Sequence, residues 1–185
     1  MFATVAATAA ERRATRPGDE LVDPAAVVMD RAVTFAAAPE TVWPWLVQLG
    51  KKRAGWYLPR RVERFLPTGR RATREVHARW QNLQVGDVIP DYGGRHETFR
   101  VDRVHAPTSI VYTSRRRRTD LTWSITLEPE SGPPGRTRVF FRLRMAPVRH
   151  TWLATTAGEF VDALTIAGMA AGLTERLRDA RPPTA

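Results

Sequence analysis

The chain has 185 residues, 43% of them apolar and 26% charged, which suits one globular domain with a real core and excludes wholesale disorder. It contains no cysteine, and that excludes disulfides, thiolate metal sites, cysteine nucleophiles and iron–sulfur clusters. Basic residues outnumber acidic ones 29 to 19, for a formal charge of +10; all of the basic residues except Lys51 and Lys52 are arginines, a bias that a GC-rich genome produces as readily as a nucleic-acid surface does.

Residues 1–28 are alanine-rich with little periodicity and read as a flexible tail and lead-in, leaving a single domain over 29–180. No basic residue precedes the opening alanines, so they do not read as a secretory signal, and the expected location is cytoplasmic. From Asp30 to Phe35 polar and apolar residues alternate, with Val33 and Phe35 on one face of a strand. Pro39 then opens a helix in which Val42, Trp45, Leu46 and Leu49 recur at helical spacing; Gly50 ends it, and Pro44 bends it.

Residues 51–86 are irregular and very basic: Lys51–Arg79 holds ten basic residues against Glu63 and Glu75. Within it, Leu58, Val62, Phe65 and Leu66 predict a short amphipathic helix. From residue 86 the pattern changes to strands: VGDVIP, HETFRVDRV, SIVYTS, LTWSITLEP and RTRVFFRLRM, separated by turns at DYGG, RRRRTD and SGPPG. In the last two strands Trp123, Ile125, Phe141 and Leu143 face one way, and Thr122, Ser124 and Arg142 face the other, which is read as solvent. A long helix, Thr151–Arg178, closes the chain, and its glycines at 158, 168 and 172 permit close approach of a neighbour. An antiparallel sheet must cover its apolar face, and this helix is the one element long enough to do so. The predicted architecture is α+β: a curved antiparallel sheet of about six strands around a long C-terminal helix, with two short helices after the first strand and a cavity between sheet and helix.

The search for chemistry returns little. There is no dinucleotide-binding or phosphate-loop glycine pattern and no nucleophile elbow, and Gly93–Gly94 reads as a hairpin turn. His77, His96, His105 and His150 are scattered without a second ligand at helical spacing, so neither a metal site nor any other cofactor is expected. Glu159 and Asp162 share a helix face; solvent exposure near the helix start is the favoured reading, with an inward, proton-shuttling carboxyl as the alternative. The run Arg115–Arg118 reads as a solvated hairpin tip that resists edge-to-edge pairing. Sequence-specific nucleic-acid binding is not expected, because no recognition motif accompanies the charge, and attachment to an anionic membrane is open but not expected.

The segments RAVTFAAAPETVWPWLVQLGKKRAGWY, LQVGDVIP, FRVDRVHAPTSIVYTS and WSITLEP, with the final helix, resemble the SRPBCC or START-like superfamily. This is the helix-grip fold of birch-pollen-allergen-like and polyketide cyclase/dehydrase-type proteins, and the similarity spans about residues 30–178. A bacterial branch continues after RAGWY with a serine, a tyrosine and an aspartate; Leu58, Pro59 and Arg60 stand here instead, so no role of that acid carries over. The resemblance implies a cavity for a hydrophobic small molecule, a lipid or polyketide-like metabolite. A cofactor-independent cyclase or dehydratase in the same cavity is the alternative, and a lipid-transfer or anionic-surface adaptor using residues 51–79 is a further one. No catalytic residue is assigned, and the sequence sets no oligomeric state. The cavity candidates are Trp56, Tyr57 and Trp80 at the mouth, Tyr112, Trp123 and Phe141 on the sheet, and Phe160, Leu164 and Ala167 on the helix. A pocket of roughly 300–1,000 Å³ is expected between sheet and helix.

Overall fold

Period-two alternation through the second half of the chain builds a sheet with two unlike faces, and everything else packs on one face or the other. The computed structural model describes residues 5–130, 135–149 and 151–180, so most of the expected SGPPG turn and His150 lie outside the described residues. A short helix α1 (Ala9–Arg13) precedes β1 (Val27–Phe35), α2 (Pro39–Gln48) and a single helical turn α3 (Arg60–Glu63). The strands β2 (Val88–Pro90), β3 (Thr98–His105), β4 (Ser109–Arg116), β5 (Thr119–Pro129) and β6 (Thr137–Ala146) follow in a meander. The C-terminal helical run consists of α4 (Thr151–Leu153), a π-helical turn (Ala154–Gly158) and α5 (Glu159–Asp179).

The six strands form one antiparallel sheet in the order β1-β6-β5-β4-β3-β2. β1 starts earlier than its alternation suggests because Val27 pairs with Met145 at the far end of β6. The inner face carries Val33, Phe35, Ile110, Tyr112, Ile125, Val139 and Phe141, which pack against Ile166, Met169, Ala170 and Leu173 of α5. The expected close approach at the helix glycines is present. A Cβ on Gly172 would stand 2.6 Å from backbone atoms of Leu58 and Tyr57, and one on Gly168 would stand 3.1 Å from Leu58. Here α5 lies directly on the chain that leaves α2.

The outer face corrects an expectation. Its register is as predicted, but Thr122, Ser124 and Arg142 are buried, not exposed. Residues 5–26, read from the sequence as part of a loose lead-in, lie across this face. Val5 accepts a hydrogen bond from the Ala32 backbone N–H beside the β1 edge, and Ala7 packs with Ala32 and Phe140. Arg142 is satisfied entirely by its neighbours: Asp30 and Asp19 carboxylates at 2.6 and 2.7 Å, and the carbonyls of Glu11, Arg12 and Ala14. Arg138 pairs with Glu11, Arg144 with Asp23, and the Arg16 guanidinium pairs with Glu128 and lies over the Phe140 ring. The outward arginines are thus the anchors for the segment that hides them.

The amphipathic helix expected around residues 58–66 shrinks to the turn α3, with Phe65 left 76% exposed. The buried residue of that turn is Glu63, because it serves as counter-charge to Arg176 of α5, which has no exposed surface. No helix among the described residues is long and apolar enough to cross a membrane.

Candidate ligand site

Inward positions on neighbouring strands bring aromatic rings into register, since residues directly opposite in an antiparallel pair lie side by side. Tyr112 of β4 is opposite Trp123 of β5, and their rings stack with centroids 5.5 Å apart. Trp123 also stacks on Phe141 at 6.4 Å and meets Phe99 of β3 at 5.8 Å. From the connection after α2, Trp56 reaches over to Trp123 at 6.2 Å and to Tyr92 at 6.3 Å, while its indole N–H donates to the Thr165 carbonyl of α5 at 3.3 Å. Tyr112 and Phe141 are buried at the inner end of this stack; Trp56, Phe99 and Trp123 are half-buried toward its open end, as are Leu143 and Met145 beside them. Burial pushes the Tyr112 hydroxyl well above its ordinary pKa, so it stays a neutral phenol.

Four of the nine residues expected to line the cavity therefore meet in one cluster: Trp56, Tyr112, Trp123 and Phe141. The other five do not join it. Tyr57 is not at a mouth but fully buried, donating to the Trp45 carbonyl at 2.8 Å and accepting from Gln48 at 3.1 Å. Trp80 sits apart against His77 with Arg79 above its ring. Ala167 is buried in the core, whereas Phe160 and Leu164 project to solvent, 69% and 50% exposed. Two hollows lie elsewhere. One of about 340 Å³ lies by the β1 edge, among Val5, Arg31, Glu159 and Phe160, and another of about 380 Å³ lies on the outer face beside Leu21 and Arg100. Interlocked rings and α5 side chains occupy the middle of the sheet–helix interface.

Beside the stack is a charged cluster that the sequence reading placed in solvent. Arg31 shares the inward parity of Val33 and Phe35, and its side chain is only 7% exposed. Its guanidinium lies 3.3 Å from the Glu159 carboxylate, donates to the Glu159 carbonyl at 2.8 Å, and has Nε 3.0 Å from Asp162 Oδ2. That last pair lacks hydrogen-bond geometry, so both buried atoms are linked by charge alone. Burial raises the Asp162 pKa above the ordinary carboxylate value; Arg31 opposes the rise, and Glu159 and Asp30 add to it. Asp162 thus faces inward, contrary to the favoured sequence reading. The β1 alternation contained the signal, because the parity that buries Val33 and Phe35 also buries Arg31. Among the described residues no group of histidine and carboxylate side chains is arranged to hold a metal ion.

The order of elements and the grip of one sheet on one C-terminal helix decide the fold. It is a helix-grip fold. No family model and no curated protein sequence matches the chain. Among solved structures, protein MLL2253 from Mesorhizobium loti superposes with a TM-score of 0.50 at 15% identity, covering 84% of this chain and all of its own. A protein from Rhodobacter sphaeroides gives 0.50 at 17% identity over 86% and 97%. A START superfamily protein from Mycobacterium smegmatis gives 0.44 at 15% identity over 83% and 99%. At such identities the likeness concerns the fold alone, and function has to be argued from the site itself.

Proposed function

We propose that this chain binds a flat, hydrophobic small molecule, a lipid or polyketide-like metabolite, at the open end of the aromatic stack between sheet and α5. The supporting observation is the half-exposure of Trp56, Phe99 and Trp123 on the face that the helix covers elsewhere. Stacked rings offer a planar ligand a large apolar contact with little side-chain entropy to lose. Trp56 is the natural gate: it comes from a loop, and its indole N–H holds α5 through a single hydrogen bond. A cytoplasmic location goes with this reading. Native mass spectrometry of freshly purified protein tests it, together with tryptophan fluorescence during titration with a planar aromatic probe. Co-purified or added ligand should shift the emission, and Trp123→Ala should weaken binding at least tenfold. A folded Trp123→Ala variant that binds as well as the parent would overturn the assignment.

One observation favours a second reading, a cofactor-independent cyclase or dehydratase. Asp162 is a carboxyl of raised pKa beside a buried guanidinium, an arrangement that suits proton transfer to or from a bound substrate. In that case Asp162→Asn should retain ligand and lose turnover, whereas equal turnover in the variant removes the carboxyl from the chemistry.

A further inference from the structure

We propose that the start of the C-terminal helical run, with the arginine tip beside it, is a docking surface for an anionic lipid bilayer. Between residues 152 and 164 four large apolar side chains stand in solvent: Trp152 at 67%, Phe160 at 69%, Val161 at 60% and Leu164 at 50% exposed. The acids of this stretch, Glu159 and Asp162, share one cation, Arg31, so a single guanidinium faces two carboxylates. The helix therefore offers an apolar surface whose two acids are drawn toward Arg31.

The charge comes from its neighbours. The β4–β5 tip is tied to the chain that enters the helix: Thr119 donates to the Pro147 carbonyl at 2.9 Å, and Asp120 lies opposite Ala146. Arg117 and Arg118 at that tip and Arg149 just before the helix are exposed and make no ion pair among the described residues. The exposed acids nearby are already taken, Asp120 by Arg115 and Asp23 by Arg144. Unpaired arginines next to exposed tryptophan, phenylalanine and leucine match a negatively charged interface with hydrocarbon beneath it. A nucleic acid would use the arginines and leave the apolar side chains in water. A second copy, itself of formal charge +10, would bring no net counter-charge to the arginines. An anionic bilayer satisfies both features.

Flotation with vesicles tests the proposal, using phosphatidylcholine alone and an equal mixture of phosphatidylcholine and phosphatidylglycerol. The whole chain should partition about tenfold or more in favour of the mixed vesicles, and this preference should fall as salt rises. Arg117→Glu with Arg118→Glu should abolish the preference, and Trp152→Ser with Phe160→Ser should reduce partitioning about tenfold while the circular dichroism melt is unchanged. Equal partitioning to both vesicle types, or unchanged binding in either double variant, overturns the proposal. So does a concentration-dependent dimer in analytical ultracentrifugation that Phe160→Ser dissociates, because a second copy would then cover the face.

Discussion

Arg176 holds the basic connection to the rest of the molecule. Its guanidinium donates to the carbonyls of Leu58, Ala72, Thr73 and Gly172, pairs with Glu63 at 2.7 Å and stacks 4.7 Å from the Tyr57 ring. Burial pulls its pKa down while Glu63 pushes it back up. A buried pair adds little net stability over an apolar substitute, but removing one partner strands the other. Glu63→Gln should therefore cost about 3–5 kcal/mol in urea denaturation. Arg60→Gln, at an exposed pair with Asp179, should leave the midpoint nearly where it was. Asp162 gives a second residue-scale expectation. Its folded-state pKa is raised, so the folded chain binds its proton up to higher pH than the unfolded chain does. Its contribution to stability then declines as pH rises from the ordinary aspartate value to the raised one and is level above that. In thermal melts across this interval, the stability of the parent relative to Asp162→Asn should decline as pH rises.

Helix α5 and the N-terminal segment show how elements are held by contacts distant in sequence. Replacing a helical glycine by alanine ordinarily gains about 1 kcal/mol. At Gly172 the added methyl would meet the Leu58 and Tyr57 backbone at 2.6 Å, where no side chain can turn aside. Gly172→Ala should thus lower the melting temperature, with overpacking costing about 1–3 kcal/mol. The N-terminal segment behaves as a second layer on the sheet. α1 is closed by a capping box in which Thr8 and Glu11 satisfy each other's backbone N–H groups, and the same Glu11 carboxylate receives Arg138. One short helix therefore owes its place to an arginine more than a hundred residues away. Such a helix has no stability of its own at five residues.

At the scale of the whole molecule the +10 charge is unevenly neutralised. The connection of residues 51–79 meets acids of α5 and one of its own: Arg60 pairs with Asp179, and Arg74 with Glu175 and Asp179 of α5 and with Glu63 of α3. With these arginines engaged, duplex DNA should bind weakly and without sequence preference, and the complex should dissolve steeply as salt rises. A fluorescence anisotropy titration across salt concentrations checks this; a sequence-specific complex surviving physiological salt would contradict it.

Alternation and helical spacing determined the six strands, the face each side chain takes and the helix that covers the inner face, because period two and period 3.6 are local properties of the chain. Trp123, Ile125, Phe141 and Leu143 point inward as their parity requires, and Arg142 points outward. What covers the outer face was not legible, since nothing local in residues 5–26 announces that their carbonyls and acids will meet Arg142. The same holds for Arg31 and Asp162, which are separated by most of the chain and joined only once α5 lies on β1. The room left for a ligand was not legible for a related reason. A pattern says which rings face inward but not how much room remains, and that volume is the small difference between large packed volumes. Only the tertiary structure decided that Trp56, Tyr112, Trp123 and Phe141 would come together in a stack, and that Phe160 and Leu164 would be left facing water.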